Sequence, residues 1–159
     1  MIGTAETTAG ARLPRWLKPA NRAIVALQRL GLVIGTMRLL SVPGRASGKL
    51  RTTPVSPLTV DGRRYIVAGL EGADWVRNAR AAGWGILARG RRGERVALVE
   101  LPVEERAAIL REFPRLVPHG VQYFQLLYGL PEDRAALPEA FAALAPHCPV
   151  FRVERLARG

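Results

Sequence analysis

A short run of cations, glycines and hydroxyls between residues 43 and 54 is the part of this sequence best equipped for chemistry. The run is PGRASGKLRTTP, with three basic side chains, two glycines, three hydroxyls and no acid. Glycines allow turns in which backbone N–H groups converge, and cationic and hydroxyl side chains can then donate to an anion. The run therefore predicts a phosphate-binding loop. A solvated basic turn is the alternative, because glycine, serine and lysine are ordinary turn residues.

Other side chains that could carry catalysis are sparse. His119 and His147 lie 28 positions apart, and only Cys148 adjoins one of them, so a metal site is not expected. No G-x-S-x-G nucleophile elbow occurs, and Cys148 has no nearby cation to activate it, so we interpret it as a small buried residue. If the protein is an enzyme, a cofactor should therefore supply the reaction.

The composition indicates one globular domain with a strong positive charge. The 159 residues are 48% hydrophobic and 23% charged, close to the globular average. The formal net charge is +11, of which residues 1–51 carry +8 and residues 52–159 carry +3. A positive field in the first third should attract a nucleic acid, an anionic membrane surface or an acidic small molecule.

The sequence predicts a cytoplasmic protein. It contains no apolar run of about 18 residues, the length that a membrane-spanning helix needs. The first residues lack the basic and apolar regions of a secretory signal. A single cysteine fits a reducing compartment.

Two regions are expected along the chain, a flexible tail over residues 1–13 and a single domain over residues 14–159. The domain should open with an amphipathic helix between Pro14 and Leu30, regular from about residue 20 because of Pro19. We expect its apolar stripe to pack on the core. With Trp16 near its start, the basic face also fits a peripheral contact with an anionic bilayer.

The remaining patterns predict a small antiparallel barrel with helices around it, a mainly β fold of about six strands. Asp61-Gly62 is a strong hairpin signal, and the first three strands should form a meander. Residues 121–130 are aromatic-rich. The expected strands span residues 32–42, 53–60, 64–69, 84–88, 95–101 and 150–153, and the expected helices span residues 74–82, 103–113 and 131–144.

Four motifs, in order, resemble the deazaflavin-dependent nitroreductase family of actinobacteria. They are GRASGKLRTTP at 44–54, DG at 61–62 followed by YIVA at 65–68, WVRN at 75–78 and PVFRV at 149–153. The similarity covers roughly residues 14–154. It implies a split β-barrel related to flavin-binding barrels, and use of the reduced deazaflavin coenzyme F420 to reduce quinones, nitro compounds or activated alkenes.

The resemblance also implies the site. The positions that would surround the coenzyme's phosphate and ribityl chain are Arg45, Ser47, Gly48, Lys49, Arg51, Thr53 and Pro54, with Trp75 and Asn78 beside them. Ala46 and Glu71 depart from the family, because many relatives carry a basic residue at the first position and some carry one at the second. Hydride would pass from C5 of the reduced deazaflavin to an acceptor stacked over it, and the protein would supply proximity and orientation.

An aromatic segment is the expected acceptor pocket. Tyr123, Phe124 and Tyr128 lie there, and a tyrosine could donate to the negative charge that develops on the acceptor. We therefore predict catalytic roles for Tyr123 and Tyr128. The alternative is that these aromatics only pack the structure.

Other functions stay open at this point. A related barrel could bind FMN, haem, a bilin or a fatty acid, and a non-enzymatic basic module could bind nucleic acid or a membrane surface. Specific nucleic-acid binding is not expected, because the aromatics lie mostly outside the basic first third. The expected partner is a small-molecule electron acceptor. Barrels of this kind often pair, so a homodimer is an alternative to a monomer.

Overall fold

A computed structural model describes residues 21–23, 25 and 37–157 of the chain. Asn21, Arg22, Ala23 and Val25 are helical, in line with the predicted first helix. The predicted tail, most of that helix and residues 32–36 of the first predicted strand lie outside the described residues.

The described residues form one antiparallel sheet of seven strands. The strands are β1 (Arg38–Pro43), β2 (Leu50–Val55), β3 (Leu58–Val60), β4 (Arg63–Val67), β5 (Trp84–Arg89), β6 (Arg92–Glu100) and β7 (Val150–Arg155). Their order across the sheet is β2-β1-β5-β6-β7-β4-β3. The expected antiparallel fold is confirmed, with seven strands in place of about six.

The extra strand comes from a break at Ser56 and Pro57 in the run expected to be one strand. Proline has no N–H to donate to a ladder, so the chain leaves β2 there and starts β3. Pro54 is tolerated inside β2 because β2 is an edge strand.

The sheet is strongly curled, as the short connection between its two edge strands shows. β2 and β3 are the two opposite edges of the sheet, yet only Ser56 and Pro57 separate them in sequence. Two linking residues can span only about 10 Å, so the two edges must lie close together. The result is a half-barrel. The expected meander is wrong in one respect, because β2 pairs with β1 alone and β3 with β4 alone.

Four α-helices flank the sheet among the described residues. They are α1 (Asp74–Ala82), α2 (Val103–Leu116), α3 (Val121–Tyr128) and α4 (Leu137–Ala142), with a 3-10 turn at Pro118–Gly120 before α3. The predicted bounds of α1 are confirmed, and Gly83 ends this helix in the left-handed conformation.

Two residues in the sequence predict helix boundaries wrongly, namely Asp74 as the cap of α1 and Pro114 as the residue that ends α2 at Phe113. Asp74 does not cap α1, because Ala73 is the N-cap residue and no side chain bonds to the helix start. The Asp74 carboxylate instead lies 3.3 Å from the Arg45 guanidinium. Pro114 does not end α2, which continues to Leu116 with the proline in its last turn.

Parts of the sheet are buried on both faces. On β4, Tyr65 belongs to a core packed with α2, α3 and α4, whereas the next residue, Ile66, belongs to a core packed with α1. Val150 and Phe151 divide in the same way on β7. Because neighbouring side chains on a strand point to opposite faces, helices cover both sides of these strands. The loops at the ends of these strands are thus connected to a sheet that is packed on both faces.

Candidate coenzyme and acceptor site

The predicted phosphate-binding loop is the hairpin that joins β1 to β2. The N–H groups of Gly44 and Gly48 donate to Lys49 O and Gly44 O, each at 2.8 Å, and the Lys49 N–H donates to Ser47 Oγ at 3.2 Å. Gly48 has a φ of 73°, a value that favours glycine. The loop therefore closes on itself.

This closure corrects one part of the sequence analysis. The N–H groups of Gly44, Gly48 and Lys49 are used inside the loop, and the Arg45 N–H donates to Asn78 Oδ1 at 3.1 Å. These four donors therefore do not converge on an anion. The side chains of the loop are left to bind it.

Helix α1 holds this loop in place through Asn78. The Asn78 side chain is only 4% exposed, and its Oδ1 accepts the backbone N–H of Arg45 and also Arg45 Nη1, the latter at 2.8 Å. Arg45 Nη2 lies 3.3 Å from Asp74 Oδ1. The loop conformation and the direction of the Arg45 guanidinium are therefore set by one face of α1.

An open pocket of about 590 Å³ lies between the loop and α1. We call it the anion pocket. Arg45 and Arg51 are its cations, and Asp74 is its single acid among the described residues. Its lining comprises Gly44, Arg45, Ala46, Ser47, Arg51, Thr52, Thr53, Ala73, Asp74, Trp75 and Asn78. Two arginines with several hydroxyls form a donor set that suits a phosphate.

A second cavity, of about 370 Å³, adjoins the anion pocket. We call it the apolar chamber. The two spaces share Thr53, Ala73 and Trp75 in their walls. Its apolar lining includes Val55, Val67, Ala68, Leu70, Phe113, Val117 and Phe124, and its polar side chains are Asn21, Thr53, Ser56, Trp75, His119 and Tyr123. A cationic space and an apolar space thus lie side by side, and we call the two together the cleft.

Trp75 stands at the junction of the two spaces. Its ring packs against Phe151 of β7, with the ring centroids 5.5 Å apart. Trp75 and Asn78 lie on the same face of α1, as their spacing predicts, and both line the anion pocket. The Trp75 side chain is therefore partly a core residue and partly a wall of the cleft.

The predicted coenzyme residues are distributed unevenly along this cleft. Arg45, Ser47, Arg51, Thr53, Trp75 and Asn78 line the anion pocket, and Pro54 lines the apolar chamber with Thr53 and Trp75. Gly48 and Lys49 lie outside the lining of both spaces. Lys49 is exposed on the rim of the loop.

The predicted acceptor aromatics also divide. Tyr123 and Phe124 line the apolar chamber, whereas Tyr128 does not. The Tyr128 hydroxyl donates to Gly69 O at 2.5 Å. Burial raises the pKa of Tyr123 to about 12, so its hydroxyl stays protonated at neutral pH. Burial also raises the pKa of Tyr128.

Gly69 is a close-approach position beside these tyrosines. A Cβ at residue 69 would lie 2.4 Å from Tyr123 Cε1, closer than real Cβ atoms approach. Glycine therefore lets the Tyr123 ring lie against the chain just after β4. Gly69 therefore contacts both tyrosines. The Tyr123 ring packs against its Cα, and the Tyr128 hydroxyl donates to its carbonyl oxygen.

Two residues of the chamber were missed by the sequence analysis. Ser56 Oγ and His119 Nε2 lie 3.1 Å apart, and both residues line the apolar chamber. They are 63 positions apart in the chain, so no local spacing could have joined them. In the sequence, the spacing of His119 indicates only whether it could be a metal ligand. Among the described residues no group of three metal-ligating side chains occurs.

The curled half-barrel and its cleft define a split-barrel coenzyme-binding protein. Residues 12–126 match the family model described as F420H(2)-dependent quinone reductase. The chain belongs to this family. It is therefore an oxidoreductase that uses F420, which confirms the resemblance inferred from the motifs. A search of curated proteins finds no significant match.

Solved structures agree on the fold. One described as a domain-swapped dimer is 20% identical, with a TM-score of 0.54, and the match covers 87% of this chain and 97% of that one. An F420-H2 dependent reductase is 22% identical, with a TM-score of 0.51, over 77% of this chain and 98% of that one. A protein of unknown function from Agrobacterium tumefaciens is 18% identical, with a TM-score of 0.51, over 92% of this chain and 58% of that one.

The cleft fits the coenzyme of this family. F420 carries a phosphodiester and several carboxylates on one side and a flat ring system on the other. Arg45 and Arg51 of the anion pocket would hold the charged part, and the apolar chamber would hold the ring. When bound, the reduced coenzyme supplies a hydride, and this chain supplies the binding surfaces.

Proposed function

We propose that this enzyme reduces a small quinone held in the apolar chamber, with the phosphate of F420 in the anion pocket. The observation that carries the proposal is that the two spaces adjoin and share Thr53, Ala73 and Trp75 in their walls. A ligand that spans a cationic and an apolar space must place its charged and aromatic parts in a fixed order. That order brings a bound ring and a bound acceptor together in one chamber.

The roles of the coenzyme residues follow from their positions. Arg45 and Arg51 bind the phosphate, and Ser47 and Thr53 donate to it or to the ribityl chain. Trp75 and Pro54 contact the ring, since both line the chamber. Asn78 acts mainly by holding Arg45. Lys49 and Gly48 lie outside both spaces. Lys49 contributes positive charge at the rim for the carboxylate tail, and Gly48 allows the shape of the loop.

The acceptor residues have different roles. Tyr123 lines the chamber with a protonated hydroxyl, so it donates a hydrogen bond to the acceptor oxygen as negative charge develops. Tyr128 acts as a positioning residue, because its hydroxyl is committed to Gly69 O. Nitro compounds and activated alkenes are further acceptors that the same chamber suits, because they also join an apolar body to an electron-poor polar group.

The test is anaerobic oxidation of reduced F420 by an added acceptor. Menadione, a nitroaromatic and a cyclic enone are compared at matched concentrations, and oxidation is followed by the return of coenzyme absorbance. We expect saturable, enzyme-dependent oxidation with menadione as the best acceptor. Enzyme-dependent oxidation confined to the nitroaromatic or the enone would replace the quinone assignment. Rates equal to those without protein would refute the proposed function.

Assembly and location are also proposals. A similar structure is described as a domain-swapped dimer, which supports a homodimer for this chain. No helix among the described residues is long and apolar enough to cross a membrane. We place the enzyme in the cytoplasm on its composition. Membrane contact through the basic first helix concerns residues that lie mostly outside the described part of the chain.

A further inference from the structure

The apolar chamber contains a hydrogen-bonded pair that the coenzyme-binding role does not use. Ser56 lies in the two-residue link between β2 and β3, and His119 lies in the 3-10 turn between α2 and α3. The distance from Ser56 Oγ to His119 Nε2 is 3.1 Å. The curl of the sheet brings the link and the turn to the same wall of the chamber.

Few groups of the chamber can supply a proton. Among the described residues that line it, His119 and Tyr123 are the ionisable side chains, and no lysine, arginine, aspartate or glutamate is present. The Tyr123 hydroxyl is a poor acid, because burial raises its pKa to about 12. A histidine can carry and release a proton near neutral pH. His119 is exposed, so it can exchange protons with water.

The proposed reaction requires such a donor. Hydride addition gives the acceptor two electrons and one hydrogen and leaves a negative charge on it. One proton must follow to complete the reduction. In an apolar chamber the charged product is poorly solvated, so a positioned acid should accelerate the step.

We propose that His119 delivers this proton through the Ser56 hydroxyl. The imidazolium Nε2–H donates to Ser56 Oγ, and as the proton moves to that oxygen the Ser56 hydroxyl proton passes to the reduced acceptor. The coenzyme is oxidised by two electrons, the acceptor is reduced by two electrons, and neutral His119 regains its proton from water. Tyr123 donates a hydrogen bond to the acceptor and keeps its own proton. This inference rests on the proposed function.

The experiment compares His119→Gln, Ser56→Ala and the double variant, with His147→Gln as the control. Glutamine preserves a hydrogen-bond donor near the Nε2 position but cannot release a proton as an acid. His147 packs near Tyr128 and does not line the chamber. F420 affinity is measured for every variant by fluorescence titration, and folding by circular dichroism.

We expect kcat to fall about 100-fold in His119→Gln and by a similar factor in Ser56→Ala, with no further loss in the double variant, because the pair acts as a unit. F420 affinity should stay within about twofold of the unmodified protein, and His147→Gln should behave like that protein. The loss should be largest for an enone, whose reduced anion is strongly basic, and added imidazole should partly restore the rate of His119→Gln.

Three results would overturn the inference. Unchanged kcat in His119→Gln would show that His119 is not the proton donor. Unchanged kcat in Ser56→Ala would show that the Ser56 hydroxyl does not relay the proton. Losses equal for all acceptors and insensitive to imidazole indicate a structural role. If the unmodified protein fails to bind F420 or to turn over, the proposed function fails instead, so the two failures are distinguishable.

Discussion

At the scale of single residues, the cleft separates cationic groups from neutral hydrogen-bonding groups and a histidine. Arg45 and Arg51 lie in the anion pocket, whereas His119 and Tyr123 lie in the apolar chamber. The two tyrosines near Gly69 illustrate how burial limits a side chain. Both have a raised pKa, and one has its hydroxyl bonded to the backbone. These groups suit hydrogen bonding and positioning better than acid catalysis.

The Tyr123 environment predicts a loss of stability at alkaline pH. Its pKa is about 12 in the folded protein and about 10 in an unfolded chain, so the folded state holds the phenolic proton more tightly. The contribution to the free energy of unfolding is complete below about pH 10 and is lost as the pH rises towards about 12. Denaturant unfolding between pH 8 and pH 11.5 should show this decline.

Tyr123→Phe should reduce that decline, because it removes the titrating hydroxyl and keeps the ring against Gly69. Burial also raises the pKa of the Cys148 thiol to about 12, so part of the decline will persist in the variant. A decline that is the same in Tyr123→Phe and in the unmodified protein would contradict the assigned environment. The variant should also lower kcat while leaving F420 affinity intact.

At the scale of elements, we expect coenzyme binding to depend on the contact between α1 and the loop. Asn78 Oδ1 is a buried acceptor shared by two donors of Arg45. The loop is otherwise held by its own hydrogen bonds and by β1 and β2. Removing this acceptor should therefore both destabilise the loop and misdirect one of the two arginines of the anion pocket.

Asn78→Ala should lower the free energy of unfolding by about 1–3 kcal/mol, because it removes two partly buried hydrogen bonds. The Kd for F420 should rise about tenfold or more, which corresponds to about 1.4 kcal/mol. Asn78→Asp keeps an acceptor at the same place and should restore most of the stability, whereas its negative charge should still weaken phosphate binding in the anion pocket. If Asn78→Asp is as unstable as Asn78→Ala, accepting the two donors of Arg45 is not the main role of Asn78.

Elements with local signals could be predicted from the sequence. The start and end of α1 follow from its spacing and from Gly83, and the turn before β4 follows from Asp61-Gly62, where both residues have positive φ. The anion pocket could also be predicted from the sequence, because its cations and hydroxyls lie within one hairpin. The strand order does not follow, because pairing between β1 and β5 or β4 and β7 depends on contacts distant in sequence.

The same limit explains the missed pair. Ser56 and His119 meet only because the sheet curls and the turn after α2 reaches the link between β2 and β3. Pro114 shows that a strong local signal can also mislead, because this proline predicts that the helix ends at Phe113. A proline in the last turn of α2 leaves the helix free to run two residues further.

At the scale of the whole molecule, positive charge is found at both ends of the sheet. β1 runs from Arg38 at one end to the phosphate-binding loop at the other. At the first end a groove of about 1060 Å³ is lined by Arg38, Arg64, Arg89, Arg92, Arg95 and Arg155, with Glu94 paired to Arg64 and Arg155. Five of these arginines lie beyond residue 51, so the molecule has a second basic surface besides the positive charge of residues 1–51.

This second basic region supplies a matched control for the coenzyme site. Arg92 is exposed and lies at the end of the sheet opposite the loop, as its pairing with Arg89 shows. Arg51 is also exposed but lines the anion pocket. The two Arg→Ala variants remove the same charge from the molecule. Only a specific site distinguishes them, because a general attraction to polyanions depends mainly on total charge.

The measurement that tests the central claim most directly is a fluorescence titration of F420, with FMN titrated in parallel, on the unmodified protein, Arg51→Ala, Lys49→Ala and Arg92→Ala. We predict saturable F420 binding at micromolar Kd or better and weaker FMN binding. Arg51→Ala should weaken F420 about ten- to hundredfold, Lys49→Ala less, and Arg92→Ala not at all. No saturable F420 signal, FMN binding that is tighter than F420 binding, or equal losses in Arg51→Ala and Arg92→Ala would contradict the account.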